Sequence, residues 1–134
     1  MEQVEEDAVL ASVAPIVAIA HALLEQAIDA NATEIHIEPG ADRMEVSYRI
    51  GGVLHRHMVL PTHIYPNLVT RYKVMAEVSW ASRQQPVQGH FTLRRRGRYY
   101  DCELTFPLRL LDPKITVRIT PGADAEGDDE DVPL

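Results

Sequence analysis

The stretch Asn31-Ala-Thr-Glu-Ile-His-Ile-Glu-Pro39 marks the point at which a long apolar helix gives way to the first strand of a sheet. Ile35 and Ile37 alternate with polar residues, so on an extended chain they share one face. Pro39 closes the strand because proline has no backbone N–H to donate to a neighbouring strand. The alternation predicts a strand with one buried apolar face and an opposite polar face that carries Glu34, His36 and Glu38.

Apolar residues recur at helical spacing upstream of this strand. Pro15 suits the first turn of a helix, where its missing N–H has no partner to lose. Asn31 suits the end of the helix, because asparagine tolerates the left-handed backbone of a helix cap. The sequence therefore predicts one amphipathic helix between these residues, with a buried stripe made of Ile16, Ile19, Ala20, Leu23, Leu24, Ala27 and Ile28.

A hairpin is predicted downstream, where alternating residues meet the pair Gly51-Gly52. Two glycines can take positive φ at both centres of a two-residue turn, which fixes the strand register. The register counted outward from this turn is Ile50 with Val53, Tyr48 with His55, Val46 with His57 and Met44 with Val59. Both histidines are thus expected on the apolar face, as satisfied core or edge residues. The other face would be partly apolar and in need of a cover, because it carries Leu54, Met58 and Leu60.

A second helix and three more strands complete the order. Pro61-Thr62 begins the helical approach and the helix is expected to end near Val78, with a buried stripe made of Leu68, Tyr72, Met75 and Ala76. A loop over 79–89 precedes strands over 90–95 and 98–106, and a last strand covers 115–119. The order of helix, three strands, helix and three strands predicts an α+β fold. Two main helices would pack on a largely antiparallel sheet of about six strands.

The charge of the chain is unevenly distributed. Its formal net charge is -7, with 20 acidic and 13 basic residues. Half of the acids lie within 1–7 and 124–131, so the interval 8–121 is mildly basic. We expect an acidic flexible lead over 1–13, one domain over 14–120, and an acidic tail or interdomain linker over 121–134.

The cysteine count and the hydropathy of the chain limit its expected cellular location. The single cysteine, Cys102, excludes an intramolecular disulfide and a cysteine zinc cage, and its apolar neighbours indicate a small core residue. The apolar run 14–24 is shorter than the about 20 residues that a membrane span needs, and acids precede it instead of a basic signal-peptide start. We therefore expect a cytoplasmic protein without direct membrane insertion.

Two polar groupings could carry chemistry. Glu34, His36 and Glu38 project from one strand face, which fits either a metal or acid/base grouping or a structural polar network; without a second ligand cluster the network is favoured and no metal is expected. The second grouping surrounds Gly97 and contains Arg94, Arg95, Arg96 and Arg98. It fits a nucleic-acid contact, a solvated hairpin tip, or a contact with an acidic protein surface. The small charge of the body disfavours nucleic acid.

The sequence lacks the glycine-rich loop with lysine and serine or threonine that cradles phosphates, the dinucleotide turn and the serine elbow. We therefore expect no catalytic centre in this chain.

The order of motifs resembles the N-terminal domain that precedes the motor domain in type II secretion and type IV pilus assembly ATPases. The family typically has Asp-Ile-His-Ile-Glu-Pro in the first strand, Tyr-Arg-Ile-Asp-Gly-Val-Leu in the first hairpin and Arg-Ile-Lys-Val-Met-Ala in the second helix. The matching stretches are 14–17, 26–28, 34–39, 48–55 and 71–76. The family loop pattern Glu-Arg-Arg-x-Pro-Gln-Asp-Gly-Arg appears at 82–90 as Ser-Arg-Gln-Gln-Pro-Val-Gln-Gly-His, so a charged loop has become nearly neutral.

This resemblance implies a PAS-like sheet and a non-catalytic regulatory or oligomerisation domain. Its partner would be a motor domain in cis or in trans, with inner-membrane platform components as further partners, and it would meet ATP and magnesium only through that motor domain. The expected location is the cytoplasm, at the inner face of the membrane through partners. The leading partner-binding candidates are Arg71 and Lys73 on the second helix, together with the four arginines around Gly97.

Departures from the family pattern concern the residues that face nucleotide. Family arginines approach the nucleotide there, and the matched positions here are Arg83, Gly89, His90 and Glu103. Histidine is a weaker phosphate partner near neutral pH and glutamate repels phosphate. These departures leave open a free-standing adaptor or inhibitor that binds such an ATPase. A nucleic-acid-binding module, which would use the arginines around Gly97, is a more distant alternative.

Overall fold

The computed structural model describes residues 13–76, 87–106 and 114–124, apart from the side chains of Val13, Ala14 and Val87. Helices and strands follow one another in the expected order. They are α1 (Val13–Asp29), β1 (Glu34–Pro39), β2 (Arg43–Ile50), β3 (Val53–Pro61), α2 (Tyr65–Met75), β4 (Val87–Arg95), β5 (Arg98–Phe106) and β6 (Ile115–Asp124), with a short 3-10 turn over Thr62–Ile64 before α2.

The strands form one six-stranded sheet in the order β3-β2-β1-β6-β5-β4. Every pairing in it is antiparallel. The expected α+β fold is thereby confirmed, with β1 and β6 at the centre and β3 and β4 at the edges. Two tight turns set the hairpins: φ is 60° at Gly51 and 83° at Gly52, and 53° at Arg96 and 75° at Gly97. Positive φ at both central residues is the geometry that matches the twist of the flanking strands.

The core lies between one face of the sheet and the two helices. Ile35 and Ile37 of β1 are fully buried there, as their alternation predicts. Two tyrosines join the layers: the hydroxyl of Tyr48 in β2 donates to the Leu23 carbonyl of α1 at 2.7 Å. The hydroxyl of Tyr72 in α2 donates to the Ala20 carbonyl of α1 at 2.9 Å. Buried phenol groups need such partners, so these bonds fix how the helices sit on the sheet.

The end of α1 confirms the role expected for asparagine. Asn31 has φ of 61°, the left-handed conformation. The N–H of Ala32 donates to the Ala27 carbonyl at 2.9 Å and the N–H of Asn31 donates to the Ile28 carbonyl at 3.0 Å. This pair of bonds is a Schellman motif, which satisfies carbonyls that the helix end would otherwise leave unpaired.

The β2–β3 hairpin departs from the counted register. Pairing follows the count from the turn as far as Ser47 opposite Arg56, and His57 is then the extra residue of a β-bulge. The expected pairs Val46 with His57 and Met44 with Val59 are wrong; the observed pairs are Val46 with Met58 and Met44 with Leu60.

The bulge also corrects which residues face the core. Met58 and Leu60 pack against the core instead of making the other face apolar. The bulged His57 stacks on the Tyr48 ring, with 4.2 Å between ring centroids, and its Nε2 lies 2.6 Å from Gln26 Oε1. His55 keeps its place opposite Tyr48 but is exposed. A single inserted residue thus moves Met58 and Leu60 to the core, while Leu54 stays on the other face, opposite Arg49.

Element boundaries differ from expectation at three places. β6 continues to Asp124, because Pro121 pairs with Tyr100 and Asp124 pairs with Arg98 on β5. The acidic tail expected from residue 121 therefore begins with four residues of exposed strand, held by backbone pairing and not by burial. β4 begins at Val87, before the expected residue 90, and α2 ends at Met75. Ala76, which was expected to be helical, lies in a turn. Residues 77 and 78 and most of the loop expected over 79–89 lie outside the described residues.

Candidate functional site

The face of the sheet opposite the helices is polar, and we call it the open face. Cross-strand pairing lines up five of its residues, one from each of five successive strands. Glu34 lies opposite Arg49 on one side and Arg118 on the other, Arg118 lies opposite Glu103, and Glu103 lies opposite His90. We call these five residues the charge row: Arg49, Glu34, Arg118, Glu103 and His90.

The charge row alternates in sign across the sheet. Residues directly opposite each other on antiparallel strands have Cβ atoms about 5 Å apart, so opposite charges there attract. The closest contact is between Arg49 Nε and Glu34 Oε1, at 3.1 Å. Arg118, Glu103 and His90 are exposed, so this half of the row presents a guanidinium group, a carboxylate and an imidazole to solvent or to a partner.

Glu34 is the centre of a polar network on β1. His36 Nε2 lies 2.8 Å from Glu34 Oε1 and must donate, because an ionised carboxylate only accepts. Hydrogen bonds from His36 and then from Arg49 lower the pKa of Glu34. His36 is only 8 % exposed, and its Nδ1 has no hydrogen-bond partner among the described residues.

The third member expected in this network, Glu38, lies elsewhere. It is exposed, and its Oε1 lies 4.0 Å from Lys114 Nζ. Arg49, and not Glu38, contacts Glu34. The network observed on the first strand therefore consists of Glu34, His36 and Arg49, and not of Glu34, His36 and Glu38 as expected.

The residues matched to nucleotide-facing family positions lie at one end of the charge row. His90 of β4 is directly opposite Glu103 of β5, and Gly89 is opposite the buried Leu104. His90 Nε2 also lies 3.9 Å from Asp101 Oδ1. Two carboxylates thus flank the histidine on this face. Arg83, the fourth matched residue, lies outside the described residues.

The candidate residues on α2 are partly covered. Lys73 places Nζ 5.5 Å from the centroid of the Phe106 ring, a cation–π arrangement, and burial lowers the pKa of its ammonium group. Arg71 has a buried Nε without a hydrogen-bond partner among the described residues. These side chains lie on a different element from the charge row.

Three of the four arginines around Gly97 contact carboxylates of the same chain. Arg95 binds Asp29 of α1 with both its Nε and Nη2 at 2.8 Å. Arg96 Nη2 lies 3.6 Å from Asp29 Oδ2, and Arg98 Nε lies 3.4 Å from Asp124 Oδ1. Arg94 pairs with Tyr99 across the hairpin. The hairpin tip thus binds the end of α1, and its positive charge is partly neutralised within the domain.

Metal chemistry finds no support in this part of the chain. Within 13–76, 87–106 and 114–124, no group of three or more histidine, cysteine, aspartate or glutamate side chains is arranged to hold a metal ion. The charge row itself consists of two arginines, two glutamates and a histidine on one face of the sheet.

Comparison with known proteins identifies the family of this chain. The family model described as type II/IV secretion system protein matches residues 9–128. The chain belongs to that family. The resemblance seen in the sequence motifs is confirmed, and the match extends beyond the domain expected over 14–120 at both ends.

Relatives of this chain belong by name to type II secretion and type IV pilus systems, and two of the three described below are named as ATPases. Type II secretion system protein E of Xanthomonas campestris is 33% identical over 117 residues, which cover 81% of this chain and 21% of the relative. Type II secretion system ATPase E of Vibrio cholerae is 34% identical over 112 residues, 77% of this chain and 22% of the relative. Type IV pilus assembly ATPase PilB of Myxococcus xanthus is 29% identical over 119 residues, 88% of this chain and 21% of the relative. The chain thus spans about a fifth of the length of these relatives.

Sequence reasoning identified four of the site's residues and missed two. Glu34, His36, His90 and Glu103 were expected to matter, but Arg49 and Arg118 were not. The signal for these arginines was their position on the polar side of alternating strands. This signal became usable only when the pairing of β1 with β2 and β6 was known.

No helix among the described residues is long and apolar enough to cross a membrane.

Proposed function

We propose that this chain is a non-catalytic regulatory and oligomerisation domain of a bacterial type II secretion or type IV pilus assembly ATPase. In this role it packs against a motor domain, in cis or in trans, and transmits nucleotide-driven motion. Family membership supports the general assignment. The observation that supports the specific role is the charge row, which ends in the juxtaposed His90 and Glu103.

The sheet is suited to transmitting motion because its strands form a continuous hydrogen-bonded layer. A partner that contacts the exposed part of the charge row meets Arg118, Glu103 and His90 at fixed mutual spacing, set by strand pairing. Alternating charges specify one docking register, because a shift by one strand would oppose like charges. The motor domain is the proposed occupant of this surface, and inner-membrane platform components are further proposed partners. The proposed location is the cytoplasm, at the inner face of the membrane.

ATP and magnesium enter this proposal only through the motor domain. The sequence contains no phosphate-binding loop, and the matched nucleotide-facing positions hold a histidine and a glutamate. A glutamate near phosphate opposes binding, whereas an arginine offsets phosphate charge. We therefore propose that the chain alone binds nucleotide poorly.

Calorimetry of the full chain with ATP and magnesium tests this part. The expected result is no binding in the micromolar range. The double variant His90→Arg, Glu103→Arg is the matched comparison, because it places arginine at both positions on the same hairpin. Micromolar binding by the unsubstituted chain would contradict the proposal of poor nucleotide binding.

The native reading frame beyond the codon for Leu134 tests the role itself. A frame that continues into a phosphate-binding loop supports the ATPase domain. In the extended protein, Arg118→Glu should then lower ATP turnover at saturating ATP more than it raises the KM, since it disturbs domain contact and not nucleotide binding. Arg56→Glu, on the edge strand β3, is the control for a general effect of charge reversal.

A second candidate is a free-standing adaptor or inhibitor that binds such an ATPase in trans. The observation in its favour is the replacement of family arginines at His90 and Glu103. A stop codon directly after Leu134 would support it and contradict the first proposal. A nucleic-acid-binding role is disfavoured, because three of the four arginines around Gly97 contact carboxylates of the same chain.

A further inference from the structure

The charge row is complementary to its own reverse. Its first four residues, in the order of the strands from β2 to β5, are Arg49, Glu34, Arg118 and Glu103, and each lies directly opposite the next. The reversed order reads Glu, Arg, Glu, Arg, which sets an opposite charge against every position. A second copy of the same face, turned end for end, therefore offers this row the charges that attract it.

Half of the row makes no ion pair with the described part of the chain. Arg49 Nε and Glu34 Oε1 are 3.1 Å apart and partly buried. Arg118 and Glu103 are exposed and lie opposite each other on paired strands, yet neither makes an ion pair or a side-chain hydrogen bond within 13–76, 87–106 and 114–124. If the alternation served only the sheet itself, these two residues would pair as Arg49 and Glu34 do. Their charges are instead available to a partner.

The positions beside the charge row allow two open faces to approach each other. The next row along the strands consists of short or buried side chains, none of them exposed: Ser47, His36, Thr116 and Thr105. Beyond that row, Glu38 Oε1 of β1 lies 4.0 Å from Nζ of Lys114, the residue before β6. The same end-for-end reversal sets Glu38 against Lys114 of the second copy, so the complementarity extends past the charge row.

Two symmetric ways of stacking the open faces differ in the sign of their contacts. A two-fold axis parallel to the strands and between β1 and β6 reverses the row, so that Glu34 meets Arg118 of the second copy and Arg49 meets its Glu103. An axis along the row keeps the order and sets each charge against itself, which is repulsive. β1 and β6 are the central strands of the sheet, so the favourable axis also gives the largest overlap. Aligned face-to-face packing of two sheets is a common geometry.

We propose that two copies of this chain associate through their open faces, about a two-fold axis that runs parallel to the strands between β1 and β6. Both copies contribute the same surface, as two-fold symmetry requires. Six strands about 4.8 Å apart make a face about 24 Å wide, and this face is polar, so the contact belongs with small, wet interfaces. We expect a dissociation constant of about 0.1 mM and a strong dependence on salt.

The dimer does not depend on the proposed function, because it needs only the residues of the open face. Both proposals place an occupant on Arg118 and Glu103. A bound motor domain and a second copy therefore exclude each other, and self-association would compete with docking of the motor domain.

Sedimentation equilibrium of the full chain, from about 10 μM to about 1 mM, measures the dimer. We expect a reversible equilibrium between monomer and dimer in about 50 mM salt, and a dimer more than about tenfold weaker in about 500 mM salt, because salt screens exposed charges. NMR spectra recorded on dilution locate the contact. The chemical shifts that change should belong to residues of the open face on β1, β2, β5 and β6.

Two variants exchange charges within the row and keep the net charge of the chain. The first is Arg118→Glu with Glu103→Arg, and the second is Glu34→Arg with Arg49→Glu. Each variant sets like charges against each other at all four contacts of its own dimer, so each alone should dimerise more than about tenfold more weakly. An equal mixture restores opposite charges at all four contacts, and it should recover the dimer.

The control exchanges a charge pair outside the row, Arg98→Asp with Asp124→Arg. This exposed pair has an N–O distance of 3.4 Å and lies at the tip of the other hairpin, so its exchange should leave the dimer unchanged. Circular dichroism checks that each variant folds. The second row variant loses the contact between Glu34 and His36. If it fails to fold, comparison of the first row variant with the control decides the proposal.

Four results would overturn the proposal. A monomer at about 1 mM chain in about 50 mM salt would leave the charge row to the motor domain as its occupant. The second result is a dimer of the first row variant as strong as that of the unsubstituted chain. The third is a mixture of the two folded variants that associates no more than its components. The fourth is a dimer whose chemical-shift changes map to α2 or to the outer edge of β3.

Discussion

Arg95 at the end of β4 binds Asp29 at the end of α1 through two hydrogen bonds of 2.8 Å each. The Arg95 side chain is only 17% exposed, so solvent screens this pair less than an ordinary surface pair. A second carboxylate lies close to the same guanidinium group: Glu25 Oε2 is 3.5 Å from Arg95 Nη1. The hairpin that looked like a free basic tip is therefore attached to the helix layer, and this attachment links the β4 edge to the core.

Arg95→Ala should lower the free energy of unfolding by about 1–2 kcal/mol, the usual loss for hydrogen bonds to a charged group. Arg98→Ala on the same hairpin is the control and should cost less than about 0.5 kcal/mol, because its pair with Asp124 is exposed. Urea unfolding measures both variants. Equal losses would show that the arginine–aspartate contact does not attach the hairpin.

Stability should fall in acid. The hydrogen bond from Arg95 lowers the pKa of Asp29 below its ordinary value of 3.8. Hydrogen bonds from His36 and Arg49 lower the pKa of Glu34 below 4.5. The unfolded chain then binds more protons than the folded one, so these groups stabilise the fold above their unfolded pKa values and cease to do so as the pH falls through the folded values. Thermal melting from pH 6 to pH 3 should show this loss.

The double variant Asp29→Asn, Glu34→Gln is the control for that pH dependence. Its melting temperature should be lower at pH 6 but should fall less between pH 5 and pH 3 than that of the unsubstituted chain. Parallel curves for the two proteins would mean that other carboxylates cause the acid loss.

Ile37→Asp should unfold the domain. Ile37 is fully buried at the centre of the sheet, and an unpaired carboxylate there costs several kcal/mol, about half of a typical folding stability. Glu38→Ala, one residue away on the opposite face, should change the melting temperature little. Circular dichroism of both variants checks the assignment of the two faces of β1.

Deletion of His57 should be tolerated. The bulge already leaves this residue unpaired, so a chain without it keeps Ser47 opposite Arg56 and Val46 opposite Met58. The expected cost is about 1–2 kcal/mol, from the lost stacking on Tyr48 and the lost contact with Gln26. Deletion of Val59 is the matched control: it should cost more, because it turns Leu60 from the core to the open face.

Cys102 should be unreactive in the folded protein. It is fully buried, and burial raises the pKa of its thiol to about 12, so almost no thiolate is present near neutral pH. A thiol reagent at pH 8 should label the chain only under unfolding conditions. Rapid labelling without denaturant would show that the core around β5 opens readily.

The pairing between strands determines which residues of the open face meet. The local sequence does not specify this pairing.

The sequence by itself determined where most helices, strands and tight turns lie, because the residues of each one carry its hydrophobic periodicity or its turn signal. The stripe of α1, the left-handed end at Asn31, the Gly51-Gly52 turn and the alternation of β1 all follow from local preferences of the backbone. These preferences act between near neighbours along the chain. Family membership was readable for the same reason, since its motifs are short stretches within single elements.

Only the tertiary structure decided the bulge at His57, the contact between Arg95 and Asp29, and the charge row. The bulge depends on Met58 and Leu60 gaining burial beneath the helices, a gain that no count from the turn includes. The other two depend on which strands and helices become neighbours after long loops close. Contacts between residues distant in sequence are selected by the packing of the whole core, so single elements cannot specify them.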